Sequence, residues 1–237
     1  MRWRSAYQTE LGQRKVNEDA LFADDTLGLY IVADGVGGNR GGHVASEITV
    51  TDFVARIQTA PADSVTTDKA TLLREALEAT NLHLLDQASN HAEYPKMSTT
   101  IVTAWISDGV AYIGHAGDSR VYLVREGKVR QLTEDDVFGG WGKLPGFKKK
   151  SFEDFLVKSM GQNPPLDPTV SQLSLQPNDW LFLCTDGLWR HVDPDALLAN
   201  ISATSSPDLF VQALLEKVKT VEGADNATLI AINILED

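Results

Sequence analysis

The sequence predicts an α+β fold, with antiparallel sheet packed against helices in one domain spanning residues 1–237. Three observations carry this. Two long stretches repeat apolar residues at helical spacing. Before and after them lie short apolar runs, several of the later ones joined by Asp-Gly and Glu-Gly turns in a pattern of β-hairpins. The regular strand–helix alternation of a parallel sheet is missing.

The elements follow in order. LGLYIVAD is a short apolar run that ends at Asp34 before a glycine-rich turn, and it reads as a strand. From Gly42, the stretch HVASEITVTDFVARIQ places Val44, Ile48, Phe53, Val54 and Ile57 on one helical face. A second amphipathic helix runs through ATLLREALEATNLHLLDQA, with Asp68 at its N-cap. TTIVTAWI and VAYIGHAGDSRVYLVREGKVRQL are strands joined at Asp108-Gly109 and Glu126-Gly127. Residues 137–151 hold four glycines and no period, so they form a loop or small flap. DWLFLCTD is a buried strand ending at Asp186. Asp193-Pro194 and Ser206-Pro207 each place a capping residue before a proline at the first helical position, so two helices begin there. NATLIAINIL closes the chain as a strand. No repeat, linker or low-complexity tract divides it.

Composition narrows the function. The formal net charge is -12, against the basic footprint of a nucleic-acid binder. One cysteine, Cys184, excludes an internal disulfide. The N-terminus lacks the apolar segment of a secretory signal, and no run is long enough to span a bilayer. A cytoplasmic protein is expected, with a monomer as the default and no membrane partner.

Six acidic residues in five places stand out by context: Glu18-Asp19 in NED, Asp34, Asp118 in GDSR, Asp186, and Asp225 in DNAT. Asp-Gly is ordinary turn chemistry, and any one of these positions is explained that way. Several strand-end carboxylates can also converge on one rim of a sheet. An all-oxygen set suits Mg²⁺, Mn²⁺ or Ca²⁺ better than Zn²⁺.

Nucleotide readings of VADGVGGNRGG fail. Gly37 and Gly42 have P-loop spacing, but His43 and Val44 follow where Lys and Ser or Thr are required. The dinucleotide fingerprint begins at Gly35 and Gly37, but Arg40 stands in place of its third glycine. Asp34 would also repel a phosphate unless a cation lay between them. Cys184 to Arg190 matches the C-x₅-R pattern of cysteine phosphatases. Asp186 would intrude on an anion cradle there, and a cysteine within LFLC reads as a buried structural residue.

Taken together, GQRKVNEDA, VADGVGGNRGGHVAS, MSTT, HAGDSRVYLVREGKVRQLTEDD, LFLCTDGLWRHV and DNATLIAI resemble, in order and spacing, the metal-dependent protein phosphatases of the protein phosphatase 2C family in compact bacterial form. The resemblance implies a four-layer α-β-β-α fold, a central antiparallel β-sandwich flanked by helices, with a short flap at about 137–158. It implies hydrolysis of phosphoserine and phosphothreonine in proteins by metal-activated water, using two core Mn²⁺ or Mg²⁺ ions and a weaker third. Asp34 would bridge the core ions. Asp186 and Asp225 would complete one, and Glu18 with the Gly35 carbonyl the other, supported by Asp19. Asp118 with Asp186 would hold the third, and Arg14 would bind the substrate phosphate. Partners would be phosphorylated proteins and a cognate Ser/Thr kinase with its targets. A degenerate module that only binds phosphoproteins is the alternative.

The chain departs from the family pattern at several positions. Val36 stands where many relatives have a histidine proposed as the general acid, which leaves that role unassigned. Asn39 and Asp136 replace histidines, and His43 replaces a glutamate. His43 reads as a surface residue, and His115 as packed or bonded within the sheet. Lys148, Lys149 and Lys150 of the flap read as a solvated loop or an aid to substrate selection.

Overall fold

The computed structural model describes residues 1–36, 41–60, 68–138, 155–203 and 206–236. The chain folds as β1 (Arg2–Glu10), β2 (Asp19–Asp24), β3 (Leu29–Asp34), α1 (Gly42–Thr59), α2 (Lys69–Asn90), β4 (Ile101–Ser107), β5 (Val110–Ala116), β6 (Arg120–Arg125), β7 (Lys128–Gln131), β8 (Thr169–Ser174), β9 (Trp180–Cys184), α3 (Asp186–Trp189), α4 (Pro194–Ala203), α5 (Pro207–Lys219) and β10 (Ala227–Leu235). The strands make two five-stranded sheets, ordered β1-β10-β9-β6-β7 and β2-β3-β4-β5-β8. Every pairing is antiparallel.

Alternation along the inner strands builds the four layers. In β3, Tyr30 and Val32 enter the core between the sheets, while Leu29, Ile31 and Ala33 pack with α1 and α2. In β9, Leu181 and Leu183 face the other sheet, while Trp180, Phe182 and Cys184 pack with Phe210, Leu214 and Val218 of α5. Strands buried on both faces read as continuous apolar runs, which is why β3, β4, β9 and β10 are legible in the sequence. The expected sandwich flanked by helices is what the chain forms.

The hairpin turns follow the expected chemistry. Asp108 and Gly109 have φ of 53° and 76°, and Glu126 and Gly127 have 51° and 68°. These positive angles match a two-residue type I′ turn. Asp193 caps α4 by accepting a bond from the Ala196 N–H at 2.8 Å. Asp68 occupies the N-cap of α2 but makes no side-chain cap bond.

Two corrections emerge. The strand read as ending at Asp186 stops at Cys184, and Asp186 instead opens the short helix α3. Strands β1, β2 and β8 have no counterpart in the sequence reading. All three lie at sheet edges, where charged and half-exposed residues blur the alternation. Val137 bridges Leu156 and Val157 N–H bonds the Asp136 carbonyl at 2.8 Å, so the two ends of the expected flap are tied together. Asn39, Lys148, Lys149 and Lys150 lie outside the described residues.

Phe182 and Phe210 stack with ring centroids 4.6 Å apart and an interplanar angle of 14°, joining sheet to α5. Phe210→Ala should destabilise the fold by about 3–5 kcal/mol, a loss of burial plus a cavity. Urea unfolding monitored by circular dichroism measures it; a change below about 1 kcal/mol would contradict this packing.

Candidate metal centre

Strand register sets Asp19 directly opposite Asp34. Two carboxylates in that arrangement repel. The backbone holds Asp34 there regardless. Its N–H donates to Thr100 Oγ (2.9 Å), and its carbonyl accepts from the Thr100 N–H (2.8 Å) and Thr99 Oγ (2.8 Å). Thr100 Oγ in turn lies 2.7 Å from Ser119 Oγ, next to Asp118. The MSTT segment thus couples the strand end bearing Asp34 to the turn bearing Asp118.

Glu18 is fixed through its main chain. Its N–H donates to Asn226 Oδ1 (2.9 Å), and its carbonyl accepts from the Gly35 N–H (3.0 Å) and Ser46 Oγ (2.6 Å). Asn226 also donates to the Leu11 carbonyl at 2.9 Å, which ties the segment before β2 to the start of β10 beside Asp225. Two glycines let these chain segments touch. A Cβ on Gly35 would lie 2.3 Å from the Gly42 carbonyl oxygen, and one on Gly187 would lie 1.9 Å from that of Asn226.

A cavity of about 430 Å³ opens where these segments meet, lined by Arg14, Glu18, Asp34, Gly35, Asp118, Asp186 and Asp225. Every residue expected to hold metal or phosphate therefore borders one space except Asp19, which lies across the strand pair from Asp34. Asp19 Oδ2 accepts bonds from Thr185 Oγ (2.9 Å) and Thr228 Oγ (2.7 Å). Its Oδ1 is buried with no hydrogen-bond partner. Arg14 is bonded to Asp225 at 2.5 Å, and Arg190 to Asp186 at 2.9 Å.

The electrostatics show how crowded the carboxylates are. Burial raises the Asp19 carboxyl to about 7, with Asp186 and Asp225 adding to the shift and the two threonines opposing it. Asp34 is raised well above the usual carboxylate range by burial and by Asp19, Asp186, Asp118 and Asp225. Asp118 rises to about 6 through burial and Asp186, against the pull of Arg190.

The residues fit divalent cations. The donor set is hard oxygen, it carries an orphaned buried carboxylate oxygen, and it holds more negative charge than the arginines balance. Among the described residues no three His, Cys, Asp or Glu side chains are already close enough to grip an ion. Two of the carboxylates are instead held by arginines.

Other expectations resolve locally. Cys184 is buried in β9, and burial pushes its thiol up to about 12, the reverse of an activated nucleophile. His115 Nε2 lies 2.9 Å from the Glu134 carbonyl, inside the protein as expected. Asp136 accepts from the Gly117 N–H and pairs with Lys158 at 3.1 Å. His43 is exposed near the start of α1, with its ring 6.1 Å from Tyr94. Sequence reasoning missed Thr185, Thr228, Asn226 and Arg190. Thr185 and Asn226 sit next to predicted ligands and Thr228 lies three residues after one, but their hydrogen-bond partners are distant in the chain.

The Asp19 shift has a pH consequence. Without cations the folded chain keeps a proton on Asp19 that the unfolded chain, near 3.8, releases. Stability from this group is therefore greatest at low pH and is lost as pH rises from about 4 to about 7. In EDTA, the urea midpoint of the wild type should fall relative to Asp19→Asn across that window, and Mn²⁺ should reverse the fall. Parallel pH profiles for the two proteins would contradict this.

Known proteins resemble this chain over nearly its whole length. The family model described as protein phosphatase 2C matches residues 9–226. The serine/threonine phosphatase stp of Listeria welshimeri is 29% identical over 241 residues, covering 95% of this chain and 94% of its own. Protein phosphatase PhpP of Streptococcus pneumoniae is 27% identical over 248 residues, covering 97% and 96%. Among solved structures, the catalytic domain of the serine/threonine protein phosphatase PstP, in complex with two manganese ions, superposes with a TM-score of 0.83 at 26% identity, covering 99% of each chain. With the family model spanning nearly the whole sequence and the carboxylate-lined cavity at the strand ends, this chain belongs to the protein phosphatase 2C family.

Proposed function

We propose that this chain hydrolyses phosphoserine and phosphothreonine in proteins, with Asp34, Glu18, the Gly35 carbonyl, Asp186 and Asp225 holding two divalent cations and Asp19 supporting them. The observation that carries this is the meeting of Arg14 with all the expected cavity carboxylates around one 430 Å³ space. When bound, Mn²⁺ or Mg²⁺ supplies charge neutralisation and acidifies water near neutral pH.

The residues of the chain do the rest. Asp34, locked at both its N–H and its carbonyl, would hold both ions. Arg14 receives the substrate phosphate, because a guanidinium matches two phosphate oxygens at once and remains charged. The Thr185 and Thr228 hydroxyls keep one oxygen of Asp19 occupied and leave the other without a partner. Val36 lines the cavity but has no proton to give. The family resemblance assigns a third, weaker ion to Asp118 with Asp186.

The substrates would be phosphorylated proteins, among them targets of a cognate Ser/Thr kinase, and the chain would act as a monomer in the cytoplasm. The names of its relatives support the substrate class. No helix among the described residues is long and apolar enough to cross a membrane. A degenerate phosphoprotein-binding module is less favoured, because such a module has no need of so costly a set of buried carboxylates.

Purified protein should hydrolyse a phosphothreonine peptide with Mn²⁺ and stop in EDTA. Asp34→Ala and Asp186→Ala should each lower kcat by about 10²-fold or more. Cys184→Ser should stay close to wild type. Turnover that is indifferent to metal, or lost in Cys184→Ser with the fold intact, would sink the proposal.

A further inference from the structure

We infer that Arg190 is a second guanidinium for the substrate phosphate, facing it together with Arg14. This rests on the phosphatase reading above and adds to it a residue that the family resemblance does not assign.

Arg190 directly follows α3, and its backbone N–H bonds the Asp186 carbonyl at 3.0 Å. Its neighbour is held firmly. Trp189 Nε1 donates to the Asp118 carbonyl at 3.0 Å. The Arg120 guanidinium covers the Trp189 ring at 3.4 Å and is itself bonded to both carboxylate oxygens of Asp135. The Arg190 guanidinium lies 5.1 Å from the same ring. The side chain therefore extends from a rigid base into the wall of the cavity that Arg14, Asp34 and Asp225 also line.

An ion pair four residues apart on a helix is usually a minor surface feature. Two facts separate this one. Its acidic partner is a carboxylate of the proposed ion site. It also repeats the arrangement of Arg14, which borders the same cavity and is paired with another such carboxylate, Asp225. Both pairs are partly exposed, with side-chain exposures of 37% and 21% for Arg190–Asp186 and 54% and 41% for Arg14–Asp225. Such pairs are weak and exchange partners readily. A divalent cation held by Asp186 would offset the charge of that partner and repel the guanidinium. A phosphate in the cavity would offer it two oxygens at once, since guanidinium–phosphate pairing is bidentate. With the site loaded, Arg190 would thus pair less with Asp186 and more with the substrate phosphate.

The test compares the full chain with Arg190→Gln and Arg190→Lys at saturating Mn²⁺. KM for a phosphothreonine peptide and Ki for inorganic phosphate are measured, together with the Mn²⁺ concentration giving half-maximal rate. Arg190→Gln should raise both KM and Ki about tenfold or more, the loss expected for a charged hydrogen bond. Its Mn²⁺ requirement should not increase. Arg190→Lys keeps the charge, serves where the glutamine variant unfolds early, and should recover part of the loss. An unchanged Ki in Arg190→Gln would overturn the inference. So would a defect abolished by more Mn²⁺, which would make Arg190 a partner of the ion site only. Absence of Mn²⁺-dependent hydrolysis in the wild type would instead defeat the phosphatase reading itself.

Discussion

The mutual repulsion of buried carboxylates at one end of the sandwich is the constraint around which the site is arranged. Asp19 and Asp34 face each other across a strand pair, and Asp118, Asp186 and Asp225 are near enough to raise the Asp34 carboxyl further. Sequestering such charges without compensation is expensive, and water cannot supply the compensation behind a strand pair. Hydroxyls, arginines and protons share the task in the absence of cations. Thr185 and Thr228 hold one oxygen of Asp19, Arg14 takes Asp225, and Arg190 takes Asp186. A divalent cation does all of this at once, so the stability of the fold and the affinity for metal are two views of one electrostatic problem.

The sandwich makes the crowding possible. β3 lies inside one sheet and β9 and β10 inside the other, and all three are buried along their length. Packing on both faces fixes where they end. Their ends, not their middles, carry Asp34, the α3 start at Asp186, and Asp225. Direct backbone contact at Gly35 and Gly187 then removes the last gap between segments that are distant in sequence. A side chain at either glycine would force the carboxylates apart. The cysteine of the C-x₅-R pattern is consumed by the same packing, since Cys184 belongs to the layer under α5.

Much of this was legible in the sequence for a physical reason. Doubly buried strands leave unbroken apolar runs, and an acidic residue at the end of such a run is conspicuous. Asp34, Asp186 and Asp225 were therefore visible, although Asp186 proved to start a helix and not to end a strand. Glu18 and Asp19 stood out only as the acidic pair of NED, with no apolar run before them to mark a strand end, because β2 is a half-buried edge strand. Edge strands β1 and β8 were equally silent. The supporting threonines and Asn226 were invisible because hydrogen bonds between residues 43 to 215 positions apart leave no local pattern. Arg190 was read only as part of a misleading cysteine-phosphatase spacing, although its charge lies beside the ion site.

The account depends on Asp34 standing between two cations. Crystals grown with MnCl₂ and measured at the manganese absorption edge test this most directly. Two anomalous peaks flanking the Asp34 carboxylate, one also reached by Asp186 and Asp225 and the other beside Glu18 and the Gly35 carbonyl, are the predicted result. Anomalous density with no contact to Asp34, or none at the strand ends despite saturating Mn²⁺, would contradict it.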